Sequence, residues 1–326
     1  MRASASSNGE SLLSRVVVTG GAGFVGSHLC EALLARGDEV VCIDNLSTSD
    51  GSCLASLDAL PGFTFVHGDV SEGFDVEGRV DVVAHLASPA SPPEYMRLPL
   101  ETLAVGSRGT QACLELSKRT GGRFLFASTS EIYGDPLVHP QPETYWGNVS
   151  SIGPRSVYDE AKRFGEALSM AYARHESVDV GILRIFNTYG PRLRQGDGRV
   201  VSNFILQALS GTPLTIYGDG SQTRSFCYVD DLVAGLLAMI DRRGLVGPLN
   251  IGNPQEITIA KLAERVLDVT GSASEVTYLP VPEHDPTRRQ PDITLARATL
   301  EWSPKISLED GLQRTVNWFR EQMNQP

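Results

Sequence analysis

Long apolar runs, metal-ligand spacings and paired cysteines are all missing from this 326-residue sequence. Its five cysteines are scattered and form no Cys-x-x-Cys pair, which favours buried thiols in a reducing compartment over a disulfide framework. Its six histidines do not recur at ligand spacing, so we predict no metal site. No apolar run approaches the about 18 residues of a membrane span. We therefore predict a cytoplasmic protein that does not cross a membrane.

Positive charge is also scarce, since 28 Lys and Arg residues stand against 39 Asp and Glu residues, for a formal net charge of −11. This balance argues against nucleic acid or an anionic membrane as the main partner. Residues 1–14 are rich in Ser, Ala, Asn and Gly and lack an apolar run. They predict a disordered tail rather than a signal peptide.

A strand, a glycine-rich loop, a helix and a second strand form the first clear unit of the sequence. The β-branched run at residues 15–19 is typical of a buried parallel strand. The loop glycines that follow are Gly20, Gly23 and Gly26. Glycines allow a tight turn and let a pyrophosphate approach the helix N-terminus. The G-x-x-G-x-x-G spacing is also compatible with an ordinary turn, but the strand context favours dinucleotide binding.

Asp44 identifies the expected dinucleotide. It lies 18 residues after Gly26, where the second strand ends. A carboxylate at this point accepts hydrogen bonds from both ribose hydroxyls and repels a 2′-phosphate, so it favours NAD over NADP. No arginine follows within residues 45–48. The alternative is that Asp44 is only a turn residue.

The remaining pattern predicts an α/β fold, a Rossmann-like doubly wound parallel sheet with a smaller interleaved α/β substrate-binding lobe. Strand candidates at residues 63–66, 80–87, 123–127 and 178–186 alternate with helix candidates that include 103–118 and 158–175. Several strand candidates end in polar residues, at the sheet edge where ligands bind.

After Pro191 the elements become shorter, which suggests a different architecture for the last third of the chain. We predict an NAD-binding domain over residues 15–190, with returning segments at about 226–252. The substrate-binding lobe is predicted to occupy mainly residues 191–326.

Tyr158 and Lys162 are four residues apart, so both side chains face the same side of a helix. A lysine ammonium beside a phenol favours the phenolate and lowers the pKa of the tyrosine from its usual value of about 10. Such a tyrosine can take a proton from an alcohol. By itself the pair is a weak signal, because the same spacing arises by chance on many helix surfaces.

Together these motifs resemble the extended short-chain dehydrogenase/reductase family, from residue 15 to about residue 319. The resemblance implies that Tyr158 is the catalytic base, that Lys162 lowers its pKa and holds the nicotinamide ribose, and that Thr129 hydrogen-bonds the reacting oxygen. The residues that it implies for NAD binding are Gly20, Gly23, Phe24, Val25, Gly26, Asp44, Asn45, Asp69, Val70, Leu86, Ser88, Tyr158, Lys162, Thr188 and Arg199.

Longer stretches are similar to one subfamily, the UDP-glucuronate decarboxylases, also called UDP-xylose synthases. These stretches are Thr129-Ser130-Glu131 with 132–136 (IYGDP), 85–96 (HLASPASPPEYM), 145–147 (YWG), 198–209 (GRVVSNFILQAL), 220–224 (GSQTR) and 288–293 (RRQPDI). The resemblance adds Ser130 and Glu131 to the catalytic set. The substrate contacts that it implies are Ser88, Tyr95, Asn187, Tyr217, Arg224 and Arg289.

The implied reaction oxidises C4″ of UDP-glucuronate, releases CO2 from the resulting β-keto acid and returns the hydride to give UDP-xylose. A UDP-glucuronate 4-epimerase, or another NAD-dependent nucleotide-sugar epimerase or dehydratase, is the alternative. A catalytically silent nucleotide-binding protein is the alternative of another class. The resemblance also implies a homodimer that packs through the helices at 103–118 and 158–175.

One stretch departs from the subfamily. Ala104-Val105-Gly106 stands where relatives usually carry a Lys-Thr-Asn-like run. The departure removes a cation expected near the sugar carboxylate and an Asn expected to orient a proton relay. We therefore expect that some UDP-4-keto-pentose could be released.

Overall fold

The structure is a computed structural model that describes residues 13–281 and 288–324. Most of the predicted disordered tail, residues 1–14, lies outside the described residues. Its last residue, Ser14, donates its backbone N–H to the Asp38 carboxylate at 3.1 Å. This contact ties the residue before β1 to the residue before β2.

Both β-branched and mixed runs form short strands. The strands are β1 (Arg15–Thr19), β2 (Glu39–Asp44), β3 (Phe63–His67), β4 (Val82–His85), β5 (Arg123–Thr129), β6 (Val180–Ile185), β7 (Thr188–Tyr189), β8 (Leu214–Tyr217), β9 (Thr223–Ser225), β10 (Cys227–Tyr228), β11 (Leu249–Ile251), β12 (Glu256–Thr258), β13 (Val276–Leu279) and β14 (Arg288–Arg289).

In the described part of the chain, seven strands form a parallel sheet in the order β11-β6-β5-β4-β1-β2-β3. Helices cover both faces of this sheet. Val16 and Val18 belong to one apolar core and Val17 to the other, and all three are fully buried. A strand that is buried on both faces needs apolar residues at every position, which explains the continuous β-branched run. The predicted Rossmann-like doubly wound fold is confirmed.

The helices are α1 (Phe24–Ala35), α2 (Leu54–Asp58), α3 (Pro92–Arg97), α4 (Pro99–Ala104), α5 (Thr110–Thr120), α6 (Ser156–His175), α7 (Val200–Leu209), α8 (Val229–Asp241), α9 (Ile259–Thr270), α10 (Thr294–Leu300) and α11 (Leu308–Met323). Short 3₁₀ turns cover Val70–Glu72 and Ser130–Tyr133. None of the helices in the described ranges is both long and apolar enough to cross a bilayer.

The helix that was predicted over residues 103–118 is wrong as one regular element. α4 and α5 are separated by a π-helical turn at Val105–Gly109. The Thr110 hydroxyl donates to the Gly106 carbonyl at 2.9 Å, inside this turn. A side-chain donor of this kind competes with the regular i to i+4 pattern of the backbone.

Smaller strand pairs form a second lobe after Pro191. β8 pairs with β13, and β9 lies between β12 and β14. The chain then re-enters the large sheet, because β11 pairs with β6. α8, which precedes β11, packs against α1. Residues before and after the second lobe therefore share one core.

Candidate active site

A cavity of about 1070 Å³ lies between the large sheet and the second lobe. The ends of β1, β2 and β5 all contribute to its wall. It therefore occupies the sheet edge where ligands bind in open α/β sheets.

All of the predicted site residues except Tyr95 line this cavity. They are Gly20, Gly23, Phe24, Val25, Gly26, Asp44, Asn45, Asp69, Val70, Leu86, Ser88, Thr129, Ser130, Glu131, Tyr158, Lys162, Asn187, Thr188, Arg199, Tyr217, Arg224 and Arg289.

Tyr95 lies beneath the cavity wall instead of in it. Its ring is fully buried and stacks on the Tyr158 ring, with centroids 5.1 Å apart and planes 7° apart. Among the described residues, its hydroxyl finds no hydrogen-bond partner. The ring therefore supports Tyr158 from behind, and a substrate contact by Tyr95 stays a prediction.

The glycine-rich loop has a shape that only glycine allows. Gly20 has a φ of +74°, and a Cβ there would lie 2.6 Å from the Ala87 nitrogen. A Cβ on Gly26 would lie 2.1 Å from the Gly20 oxygen. α1 begins directly after Gly23, with no side-chain cap and no acidic residue in its first turn. Its free N–H groups and positive helix end therefore fit the pyrophosphate of a dinucleotide.

Asp44 is held at the end of β2 by two backbone donors. The N–H groups of Ala22 and Leu46 donate to its carboxylate at 3.0 Å and 2.9 Å. Burial raises the pKa of Asp44, and these two donors act against the increase. Next to it, the Asn45 side chain donates to Asp69 at 2.9 Å. This arrangement of a carboxylate beside the glycine-rich loop fits an NAD ribose.

Tyr158 and Lys162 lie on the buried face of α6, but Lys162 does not contact the phenol oxygen directly. Its ammonium donates to the Ala127 carbonyl at 2.9 Å and lies 5.8 Å from the centre of the Tyr158 ring. Burial lowers the pKa of Lys162 to about 8.

The expected lowering of the Tyr158 pKa by Lys162 is not found. Burial and then the negative charge of Glu131 raise this pKa, and a hydrogen bond with Thr129 only partly offsets them. The physical reason is the cost of burying a phenolate. This cost raises the pKa of Tyr158 more than the charge of Lys162 can lower it, because the ammonium is turned toward a backbone carbonyl.

Glu131 lies between two guanidinium groups. Arg155 donates to one of its carboxylate oxygens at 2.6 Å, and Arg289 donates to the other at 3.3 Å. Burial by itself would raise the pKa of Glu131, but Arg289 and Arg155 lower it to about 2. The side chain is therefore ionised in a largely closed environment.

Two partners of Glu131 were not found from the sequence. Arg155 lies three residues before Tyr158, and Asp159 directly follows it. Asp159 is almost fully buried, and burial and then the charge of Glu131 raise its pKa. The local signal was their position at the start of the helix that carries Tyr158, where Arg155 precedes the first residue and Asp159 lies in the first turn.

A buried network fixes the strand ends behind the catalytic residues. Arg184 donates to the two oxygens of Glu166 at 2.9 Å and 2.8 Å, and the Ser128 hydroxyl donates to the same carboxylate at 2.6 Å. Arg184 also donates to the Tyr133 hydroxyl at 2.9 Å. α6 is thereby tied to the ends of β5 and β6, and such satisfied networks hold one geometry.

Comparisons with known proteins agree with this geometry. A family model described as the NAD dependent epimerase/dehydratase family matches residues 16–252. The chain is 53% identical over 306 residues to UDP-glucuronic acid decarboxylase 1 of Arabidopsis thaliana, which covers 94% of this chain and 70% of the relative. It is 49% identical over 309 residues to UDP-glucuronic acid decarboxylase 1 of Xenopus tropicalis, with 95% and 73% covered.

Solved structures show the same fold. UDP-glucose 4-epimerase of Thermotoga maritima, solved with UDP-glucose, has a TM-score of 0.86 and 32% identity over 95% of this chain and all of that one (100%). UDP-glucuronic acid 4-epimerase of Bacillus cereus, in complex with UDP-glucuronic acid and NAD, has a TM-score of 0.84 and 30% identity over 94% of this chain and 99% of that one.

The resemblance stated from the sequence motifs is confirmed by these relatives. The chain is a member of the NAD dependent epimerase/dehydratase family and, within it, of the UDP-glucuronic acid decarboxylases.

Proposed function

We propose that the protein is an NAD-dependent UDP-glucuronate decarboxylase that forms UDP-xylose. The observation that carries this proposal is that Tyr158 and Thr129 share one cavity with the Glu131–Arg289 ion pair. The first pair is suited to oxidising an alcohol, and the second adds charged groups for a substrate that carries a carboxylate. The names of the sequence relatives support the same activity.

NAD, which the glycine-rich loop and Asp44 would hold, would supply the hydride acceptor for C4″ and the hydride that later reduces the ketone. Tyr158 takes the proton of the C4″ hydroxyl as the sugar is oxidised. The C6″ carboxylate is then β to a ketone, so the C5″–C6″ bond breaks with its electrons moving toward the C4″ oxygen and CO2 leaves. A proton from water is added at C5″, and Tyr158 returns its proton to the C4″ oxygen as the ketone is reduced. The hydroxyls of Tyr158 and Thr129 donate hydrogen bonds to that oxygen and stabilise its charge.

Arg289 and Glu131 act on the carboxylate end of the sugar in this proposal. The Arg289 side chain is only 4% exposed, so its guanidinium acts in a largely desolvated setting. It orients the carboxylate, as an arginine fork does well. Glu131 has one of two roles. It raises the energy of the bound substrate by repelling the C6″ carboxylate, or it directs a proton to C5″ through water. Ser130 replaces an acid that elimination of a 6-hydroxyl would need.

The test is an incubation of the purified protein with UDP-glucuronate, with CO2 and sugar nucleotides measured together. We expect CO2 and UDP-xylose, and we expect Tyr158→Phe to lower turnover at least 100-fold while NAD remains bound, because general-base catalysis is lost. Tyr278→Phe is the matched control, since Tyr278 is 58% exposed and does not line the cavity. UDP-galacturonate without CO2 would instead identify a 4-epimerase, and no product would indicate a silent binding protein.

The same product analysis tests the release of a 4-keto product. We propose that part of the UDP-4-keto-pentose leaves before the hydride returns, because Ala104-Val105-Gly106 lacks the cation of relatives. Val105 lines the cavity, whereas Ala104 does not. Stoichiometric UDP-xylose, with no keto product and no residual NADH, would contradict this proposal.

We also propose a homodimer that packs through α4, α5 and α6, and a cytoplasmic location. Apolar side chains that remain exposed on α4 and α6 support the dimer. Cell fractionation with an antibody against the protein tests the location.

A further inference from the structure

Helix α3 and two loops that are distant in the sequence meet at Glu94, which lines the cavity. Glu94 lies in α3. Its carboxylate accepts from Arg97 at 2.9 Å through Nε, and its other oxygen accepts from Arg194. Arg97 in turn donates to the Ser47 carbonyl at 3.0 Å. One carboxylate thus joins the loop after β2 to the loop after Pro191.

Glu94 is the buried member of this cluster. Its side chain is 10% exposed, against 54% for Arg97 and 39% for Arg194. A carboxylate in that setting depends on its cations, since an unpaired buried charge is costly. The two arginines are more exposed than Glu94 and approach it from the solvent side of the cavity.

Backbone packing joins the same two loops. Gly198 has a φ of +85°, and a Cβ there would lie 2.6 Å from Pro93 Cγ, so its backbone rests on Pro93. The other end of this loop is anchored on α1, where Arg192 donates to Glu31 at 2.6 Å. The loop over residues 191–199 therefore runs from α1 to α3.

These residues face the cofactor end of the cavity. Ser47, Glu94 and Arg194 line the same cavity as the glycine-rich loop and Asp44. Ser47 follows Asp44 by three residues in the loop expected to hold the NAD ribose. The cluster joins that loop to the loop over residues 191–199, beside the residues expected to hold NAD.

We propose that Glu94, with Arg97 and Arg194, is a clasp that slows the exchange of NAD. The inference rests on the proposed function, because a cofactor that is oxidised and reduced within one cycle benefits from staying bound between cycles. Glu94 is a positioning residue in this role and takes no part in the reaction at C4″.

The test measures NAD release from the purified holoenzyme by exchange with radiolabelled NAD and rapid gel filtration. We expect Glu94→Gln and Arg194→Gln each to speed exchange about tenfold, and the double variant to exchange no faster than Glu94→Gln, because Glu94→Gln already removes the ion pair that Arg194→Gln breaks. Glu176→Gln is the matched control, since Glu176 pairs with Lys118 at 2.7 Å on the surface outside the cavity. It should exchange NAD at the unmodified rate.

Exchange at the unmodified rate in Glu94→Gln, or effects that multiply in the double variant, would overturn the clasp. Thermal melting of each variant separates loss of the clasp from loss of the fold, and Arg194→Gln changes a half-exposed side chain that the fold tolerates more readily. Exchange is measured without UDP-glucuronate. A failed decarboxylation assay would therefore overturn the proposed function and leave the result on the clasp intact.

Discussion

Glu131 shows how charge is balanced around the reacting sugar. Its carboxylate is ionised because Arg155 and Arg289 approach opposite oxygens, while the neighbouring Asp159 is driven toward its neutral form. Two cations thus face one full negative charge and one carboxyl group that resists ionisation. The local excess of positive charge is suited to a substrate that brings its own carboxylate.

His85 is a fully buried residue whose titration affects the stability of the fold. Its ring lies between the hydroxyls of Thr19 and Thr110, at 2.7 Å and 3.2 Å. Burial and then the positive charge of Lys162 lower its pKa to about 3. The folded protein therefore holds a neutral imidazole at pH values where the unfolded chain binds a proton.

We predict that this difference makes the protein less stable as the pH falls from 7 to 5. The unfolded histidine protonates near pH 6.5 and the folded one does not until about pH 3, so the loss at pH 5 is about 2 kcal/mol. Urea unfolding at both pH values measures it. His85→Gln should lose this part of the pH dependence, whereas the exposed His67→Gln should keep it. Equal slopes for His85→Gln and the unmodified protein would contradict the assignment.

At the scale of elements, helices and strands with a regular apolar pattern were predicted well. Elements that depend on tertiary contacts were not. β1 and α6 lie within two residues of their predicted bounds, because their apolar periodicity is set by burial. α3 and β14 were not predicted, since elements this short depend on tertiary contacts more than on local preference. The π-helical turn was missed for the same reason.

The residues of the candidate site also differ in how well the sequence predicted them. Residues at strand ends, such as Thr129, were found because parallel strands bring their ends together. Arg155 and Glu94 were not found, because Glu131 lies 24 residues from Arg155 and Arg194 lies 100 residues from Glu94 in the chain. No local pattern reports such a pairing.

The π-helical turn requires a residue without a side chain at Gly106. A Cβ there would lie 2.6 Å from the Ala161 Cβ on α6 and 3.1 Å from the Ala161 carbonyl oxygen. The turn and the helix that carries Tyr158 are therefore in backbone contact at this point.

We predict that Gly106→Ala destabilises the protein by about 1–3 kcal/mol, because the new methyl group overpacks this contact. Ala161→Gly in the same chain removes the opposing methyl group and should recover part of the loss, since the contacts with the Ala161 backbone at 3.1 Å remain. Urea unfolding of both single variants and the double variant measures this. If the double variant is as unstable as the sum of the two single variants, the contact is not the cause.

At the scale of the molecule, the site is completed by both lobes. Arg289 lies in β14 of the second lobe, and its partner Glu131 follows β5 of the large sheet. Gln141 holds the two parts together. Its backbone N–H donates to the Gln290 carbonyl at 2.9 Å, and its carbonyl accepts from Asp292 at 3.0 Å. The guanidinium is thus positioned by a backbone pairing and not only by its ion pair.

The proposed homodimer accounts for exposed apolar side chains on α4 and α6, two helices that pack on each other. Leu100, Leu103 and Phe164 are 75%, 39% and 49% exposed. A second copy would bury them, which is favourable by about 25 cal/mol per Å². We therefore expect light scattering to give twice the chain mass and Phe164→Lys to give the mass of one chain. Leu295→Lys, a matched change of a 41% exposed residue on α10, should remain dimeric. A monomeric unmodified protein, or a dimeric Phe164→Lys variant, would exclude this interface.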